Sequence, residues 1–237
     1  RLLEVDGGRA DVAIRKYREV LRLDSKNVRA HLSLGDLYLT KAQNDLAVSE
    51  FSQALEADPK VSDQIVTRYR RILEQEPGNT LAITYLADAY VKAGDLDGAT
   101  SVLKMGYERN KSLAGDIVPR LEEVLGVNLE KVEAVSLLAE VYREKGETKR
   151  ALQLYDHLSV LGSQGASMAC EGLRRLLSSD PSIAEAKLLL ATALAASGDF
   201  EHSVEQLGLV LKADGTAPVI SKLDRLVRKR PEVAEGI

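Results

Sequence analysis

Residues 28–61 read VRAHLSLGDLYLTKAQNDLAVSEFSQALEADPKV. The stretch divides into two amphipathic helical segments around a turn at Lys41–Asp45, and it closes at Asp58-Pro59. Small residues (Gly35, Ala47, Ala54) are set among large ones (Leu34, Tyr38, Phe51). Small side chains let two helix backbones approach, and large ones fill the space beside the contact.

The stretch recurs with a 52-residue period. Gly35 is followed by Ala87, Ala139 and Ala191, and Tyr38 by Tyr90, Tyr142 and Leu194. Ala47 is followed by Ala99, Ala151 and Ser203, and Phe51 by Leu103, Tyr155 and Leu207. The turn carries Gly94, Gly146 and Gly198, where a helix stop needs a residue tolerant of positive φ. The first copy has Ala42 there, with Asn44 nearby as the expected substitute. A third helix fills the rest of each period. Tyr17, Tyr69, Leu121 and Leu173 keep step, as do Val20, Ile72, Val124 and Leu176, and spacings of three and four put such residues on one face. Asn27, Asn79 and Ser182 stand where the next helix needs an N-cap.

The chain therefore parses as a partial repeat, residues 1–27, and four repeats at 28–79, 80–131, 132–183 and 184–235, each with helices A, B and C. The partial repeat is expected to hold the end of a B helix and a full C helix. About twelve helices and no strands follow. A single repeat cannot bury its apolar face, so the repeats are expected to stack as one solenoid. With three helices per repeat the direction of the third is open. It either crosses the layer obliquely or stands in for a B helix whose A partner has been lost.

The order of a small residue at Gly35, Tyr38, Ala47, Phe51, Ala54 and Pro59 resembles the tetratricopeptide repeat (TPR). A simple TPR has about 34 residues, so the longer unit found here departs from it. The resemblance implies an all-α, right-handed α-α superhelix used as a scaffold for protein–protein interaction. Its groove would be lined by the A helices and would take a peptide or protein partner. Chaperone-adaptor TPRs clamp a terminal carboxylate with Lys, Asn and Arg on their A helices. Here the corresponding column is acidic, and that ligand is not expected.

Composition fits a folded helical protein. Of 237 residues, 45% are hydrophobic and 29% charged, with eight Tyr, two Phe and no Trp, so Leu and Ala carry the apolar content. A net charge of −4 argues against a nucleic-acid binder, whose affinity rests on phosphate contacts. The lone Cys170 excludes an internal disulfide and fits a reducing compartment. No secretory signal opens the sequence, and the longest weakly polar run, Leu188–Ala196, is far short of the roughly 20 residues that span a bilayer. A cytoplasmic protein without membrane insertion is expected. Because the sequence opens in mid-helix at Arg1, it also reads as a fragment of a longer protein.

No catalytic constellation is visible, and a non-enzymatic chain without cofactor or metal is expected. His31, His157 and His202 fall in three different repeats, whereas a zinc site needs about four clustered ligands. His31 and Cys170 read as packing residues. Gly162-Ser163-Gln164-Gly165 lacks the spacing and the preceding strand of a nucleophile elbow and reads as the loop from helix B to helix C.

Two binding surfaces are expected instead. Nine places into each repeat come Asp36, Asp88, Glu140 and Thr192, with Thr40, Lys92 and Arg143 one turn further on. Three acids in a column would receive a basic partner, although solvated surface is the bland reading of the same pattern. The second surface is a basic patch of Lys222, Arg225, Arg228, Lys229 and Arg230 on the last helix, where cations also complement the helix dipole. Arg15, Lys16, Arg18, Arg68, Arg70, Arg71, Arg174 and Arg175 make other C helices basic. An acidic groove opposite a basic ridge gives the alternative of a homo-oligomeric assembly platform. A regulatory segment of a larger signalling or enzyme chain is the other alternative. The fourth A helix, around Leu188, Thr192 and Ala195, is apolar nearly all round and is expected to be buried.

Overall fold

The computed structural model describes residues 2–214, with side chains described from residue 8 to residue 210. Within these residues the chain is all-α. The helices are α1 (Leu2–Leu23), α2 (Val28–Thr40), α3 (Asn44–Ala57), α4 (Ser62–Gln75), α5 (Thr80–Ala93), α6 (Leu96–Arg109), α7 (Ala114–Val127), α8 (Val132–Glu144), α9 (Thr148–Ser159), α10 (Gly162–Ser179), α11 (Ala184–Ser197) and α12 (Phe200–Asp214). Short 3-10 turns at Pro59–Val61 and Lys111–Leu113 lead into α4 and α7. Packing divides the chain into two compact units, residues 1–124 and 125–237, and each is described by itself.

Helix starts follow from local chemistry. Asn27 Oδ1 accepts from the Ala30 amide at 3.0 Å, and Asn79 Oδ1 from the Ala82 amide at 2.8 Å, so each caps a new helix. Ser182 does not do the same for α11. The cap position there is Ile183, which offers no side-chain bond, and the Ser182 hydroxyl instead donates to Asp180 at 2.6 Å. Nor does the chain open with two helices. The expected B-helix end and C helix are one continuous 22-residue α1.

Small residues sit where helices come closest. Ala47, Ala54, Ala87, Ala99, Ala139, Ala151 and Ala191 have no solvent exposure. A Cβ on Gly35 would collide with the Phe51 ring, so α2 and α3 approach to a distance that only glycine permits. Ser203, at the small-residue position of α12, is buried because its hydroxyl donates to the Ala191 carbonyl at 2.7 Å. The apolar α11 is flanked by α9, α10 and α12, which accounts for its burial.

In residues 1–124 the third helix of the first full repeat, α4, packs against the A helix that follows, α5, just as α2 packs against α3. Short turns make each such pair antiparallel. Starts of alternate helices α2, α4 and α6 (Val28, Ser62, Leu96) are evenly spaced, each step matching the length of one simple TPR. Side by side, α2 meets α4 through Asp36 and Arg68, and Arg109 of α6 donates to Pro77 O just beyond α4. In the other layer α3 lies beside α5, with the N-cap side chain of Asn79 donating to Asp45, and α5 meets α7 through Asp88 and Arg120. A three-helix sequence period on a two-helix structural step has a consequence. The motif helix α2 and its counterpart α5, one sequence period later, lie in opposite layers. In the second unit α8 likewise meets α10, and α9 meets α11.

The turns confirm one site of strain. Gly94, Gly146 and Gly198 have φ of 79°, 76° and 98°, and Ala42, in the equivalent place, has φ 54°. Asn44 does not relieve it, since it is the buried first residue of α3. A left-handed alanine costs roughly 1–2 kcal/mol, partly offset by the greater freedom of an unfolded glycine. Ala42→Gly is therefore expected to raise stability by about 0.5–1 kcal/mol in chemical denaturation. Equal or lower stability would show the turn to be unstrained.

Candidate functional site

The acids singled out in the sequence are each held by arginine. The Arg68 guanidinium donates to both Asp36 oxygens, at 2.8 and 2.9 Å. Arg120 approaches Asp88 at 2.8 and 3.0 Å and also donates to the Thr84 carbonyl at 3.1 Å. Both pairs join positions 32 apart, because a C helix lies beside the A helix of its own repeat and the same register recurs one period later. Asp36 and Asp88 lie in opposite layers of residues 1–124, so they do not stand in one column, and their charge is already balanced. In residues 125–237 the register changes. Gly172 takes the place of Arg68 and Arg120, and a Cβ there would strike the Tyr155 ring. Arg175 reaches Glu140 instead, at 3.3 Å, and Arg143 does so at 2.6 and 3.1 Å. The Tyr155 hydroxyl donates to the same carboxylate at 3.4 Å.

Other candidates are simpler. Thr40 and Thr192 turn their hydroxyls onto carbonyls of their own helices, at Leu37 and Leu189. Lys92 is exposed. Lys222, Arg225, Arg228, Lys229 and Arg230 lie outside the described residues. The expected basic ridge is partly consumed within the fold. Besides Arg68 and Arg175, Arg18 donates to the Tyr38 hydroxyl and Arg70 to that of Tyr90, both at 2.6 Å, with each guanidinium also near the ring it serves. These two pairs repeat one sequence period apart and were legible as spacing, but nothing in the sequence says that a guanidinium faces the phenol. Asp36, Asp88 and Glu140 are thus engaged inside their own units, whereas the hydroxyls that Arg18 and Arg70 meet carry no charge.

His31 is 6% exposed, with Nδ1 2.7 Å from Glu50 Oε2 and Nε2 3.0 Å from the Ser25 carbonyl, so both nitrogens are engaged in packing α2 against its neighbours. Burial pushes the Cys170 thiol up from its ordinary value, more than nearby Arg174 lowers it, which makes it a poor nucleophile. Among the described residues no group of three His, Cys, Asp or Glu could hold a metal ion, and no helix is long and apolar enough to cross a membrane.

One hollow escaped the sequence reading. In residues 1–124 a pocket of about 410 Å³ opens between α4 and α6, with α5 as its floor. Leu73 and Met105 line its walls, and Leu86, Tyr90 and Val102 are buried beneath it. Arg70 and Glu74 stand at its edge.

Two tetratricopeptide-repeat models match the sequence, one over residues 2–62 and one over residues 134–165. Residues 2–62 and 134–165 are therefore TPR-like, in keeping with the resemblance read from the sequence. No curated protein matches it. Among solved structures it is similar to MamA, at 18% identity over 88% of this chain and 91% of that one, with a TM-score of 0.25. It is similar to YrrB, a TPR protein with an unusual peptide-binding site, at 11% identity over 88% and 97%, TM-score 0.26. It is also similar to the TPR domain of P58(IPK), at 13% identity over 94% and 85%, TM-score 0.27.

Glu140 gives the ion pairs a measurable signature. Burial pushes its carboxyl up, but hydrogen bonds and charge from Arg143 and Arg175 outweigh this, and it titrates below its ordinary value. A lowered folded value means stability that is complete above the unfolded pKa, about 4.3, and lost as pH falls through the folded value. Glu140→Gln is expected to cost about 1–2 kcal/mol at pH 7, with the gap to the unaltered protein closing in acid. A gap of constant size down to pH 3 would mean the carboxylate charge contributes nothing.

Proposed function

We propose that this TPR-like chain is a non-enzymatic scaffold that presents its paired helices to a peptide or protein partner. The observation that supports this most is the pair of TPR matches, at residues 2–62 and 134–165, in a chain whose described residues are helices packed against their neighbours. Such a fold buries the shared helix faces and leaves long, rigid outer faces available for recognition. Rigid display lowers the ordering cost of binding.

Within this reading the outward residues of the motif helices, Thr40 and Lys92, are contacts, and Thr192 serves the same role in the fourth repeat. Asp36, Asp88 and Glu140 act chiefly by fixing neighbouring helices, and Arg143 supports Glu140 from the same helix. A basic partner drawn to a free acidic column is not favoured, because each acid already has its arginine. The basic patch at Lys222–Arg230 stays a proposal from sequence.

Placing a photo-crosslinking amino acid at Thr40 and at Lys92, one in each layer of the first unit, tests the scaffold reading in source cells. Discrete crosslinked proteins at one or both positions, absent without irradiation, are expected. Absence of any crosslinked protein at both positions would contradict it.

A further inference from the structure

We propose that the hollow between α4 and α6 is an anchor site for an amphipathic helix of a partner protein. One Leu- or Met-sized side chain enters the pocket, an acidic residue meets Arg70, and a basic residue meets Glu74. The inference rests on the scaffold reading and specifies its partner.

The floor is apolar, Arg70, Glu74 and Ser101 make the rim polar, and the open hollow, of about 410 Å³, has room for one apolar side chain. Leu73 and Met105 remain half-buried on its walls, so apolar surface stays open to water that a partner side chain would cover. The charges at the edge identify the partner's chemistry. The polar contact of Arg70 is with the neutral Tyr90 hydroxyl, and no carboxylate lies within ion-pair distance of it among the described residues. Glu74 is exposed and has no hydrogen bond or ion pair among the described residues. Elsewhere in the unit the comparable charges, Asp36 with Arg68 and Asp88 with Arg120, are matched internally. Arg70 and Glu74 are one helical turn apart, about 6 Å along the axis. A partner helix carrying an acid and a base at i and i+4 has the same spacing on one face. Its residue i+3 then points round toward the pocket floor, where the apolar side chain belongs.

The test is selection of a displayed library of random 16-residue peptides on the full chain, followed by fluorescence anisotropy of the enriched peptides. Ser101 is an exposed residue of α6 lining the pocket, so Ser101→Trp fills the hollow without entering the core. The doubly exchanged Arg70→Glu, Glu74→Arg variant reverses the edge and leaves the pocket open. Enriched peptides are expected to carry an apolar residue beside an acid–base pair one turn apart. They should bind Ser101→Trp at least tenfold more weakly, and the exchanged variant should prefer the same peptides with their acid and base exchanged. Peptides that bind the unaltered chain and both variants equally would overturn the pocket while leaving the scaffold reading intact. A library that yields no binder would overturn both. Circular dichroism on each variant establishes that the chain is folded.

Discussion

The contact of the Phe51 ring with Gly35 sets the spacing on which the first unit depends. With no Cβ at Gly35, α2 and α3 close onto one another until the ring fills the gap. Tyr69 then brings in α4, its ring meeting Phe51 edge-on at 6.0 Å and its hydroxyl donating to the Val48 carbonyl. Burial pushes the Tyr69 hydroxyl far above its ordinary pKa, so it serves as a neutral donor. With α4 so placed, Arg68 lies over the Phe51 ring and reaches Asp36 with two hydrogen bonds. One small residue thus fixes a helix pair, the pair fixes the next helix, and the charges fall into register afterwards. A bidentate arginine holds that register more firmly than lysine would, since its donors match both carboxylate oxygens.

The helices themselves could be read directly. Their starts at Val28, Thr80, Val132 and Ala184, the buried alanines and the glycine turns all derive from contacts between neighbouring helices, which leave a periodic trace. What the sequence hid depends on longer reach. The bond from Arg68 to Asp36 joins positions 32 apart and needs α2 and α4 to lie side by side, which neither helix encodes alone. Read as a sequence, Asp36 and Asp88 look alike and suggest one wall. Their layers are set by counting helix pairs rather than repeats, and the count puts them apart. Ala42 shows the opposite case, a position whose neighbours dictate a left-handed turn although its own side chain disfavours it. The pocket over Leu86, Tyr90 and Val102 could not be seen because each of these residues reads as core.

The functional reading changes with the charges. An acidic groove facing a basic ridge would have made long-range attraction the main source of recognition. Because Asp36, Asp88 and Glu140 are each matched by an arginine of a neighbouring helix, these acids have little charge left to steer a partner, and the proposed recognition rests more on shape and apolar contact. A scaffold of that kind is selective through a few anchors, with the surrounding surface supplying fit. In the proposed scaffold the arginines act indirectly, by holding neighbouring helices in register.

The layered pairing is the central claim, and site-specific cross-linking tests it most directly. In a Cys170→Ser background, cysteines would be placed in pairs at positions 36 and 68, 88 and 120, and 36 and 88. Each protein would be treated with a short bifunctional thiol reagent and mapped by mass spectrometry. The account predicts efficient intramolecular links for 36–68 and 88–120 and none for 36–88. An efficient 36–88 link would place Asp36 and Asp88 on one wall and contradict it.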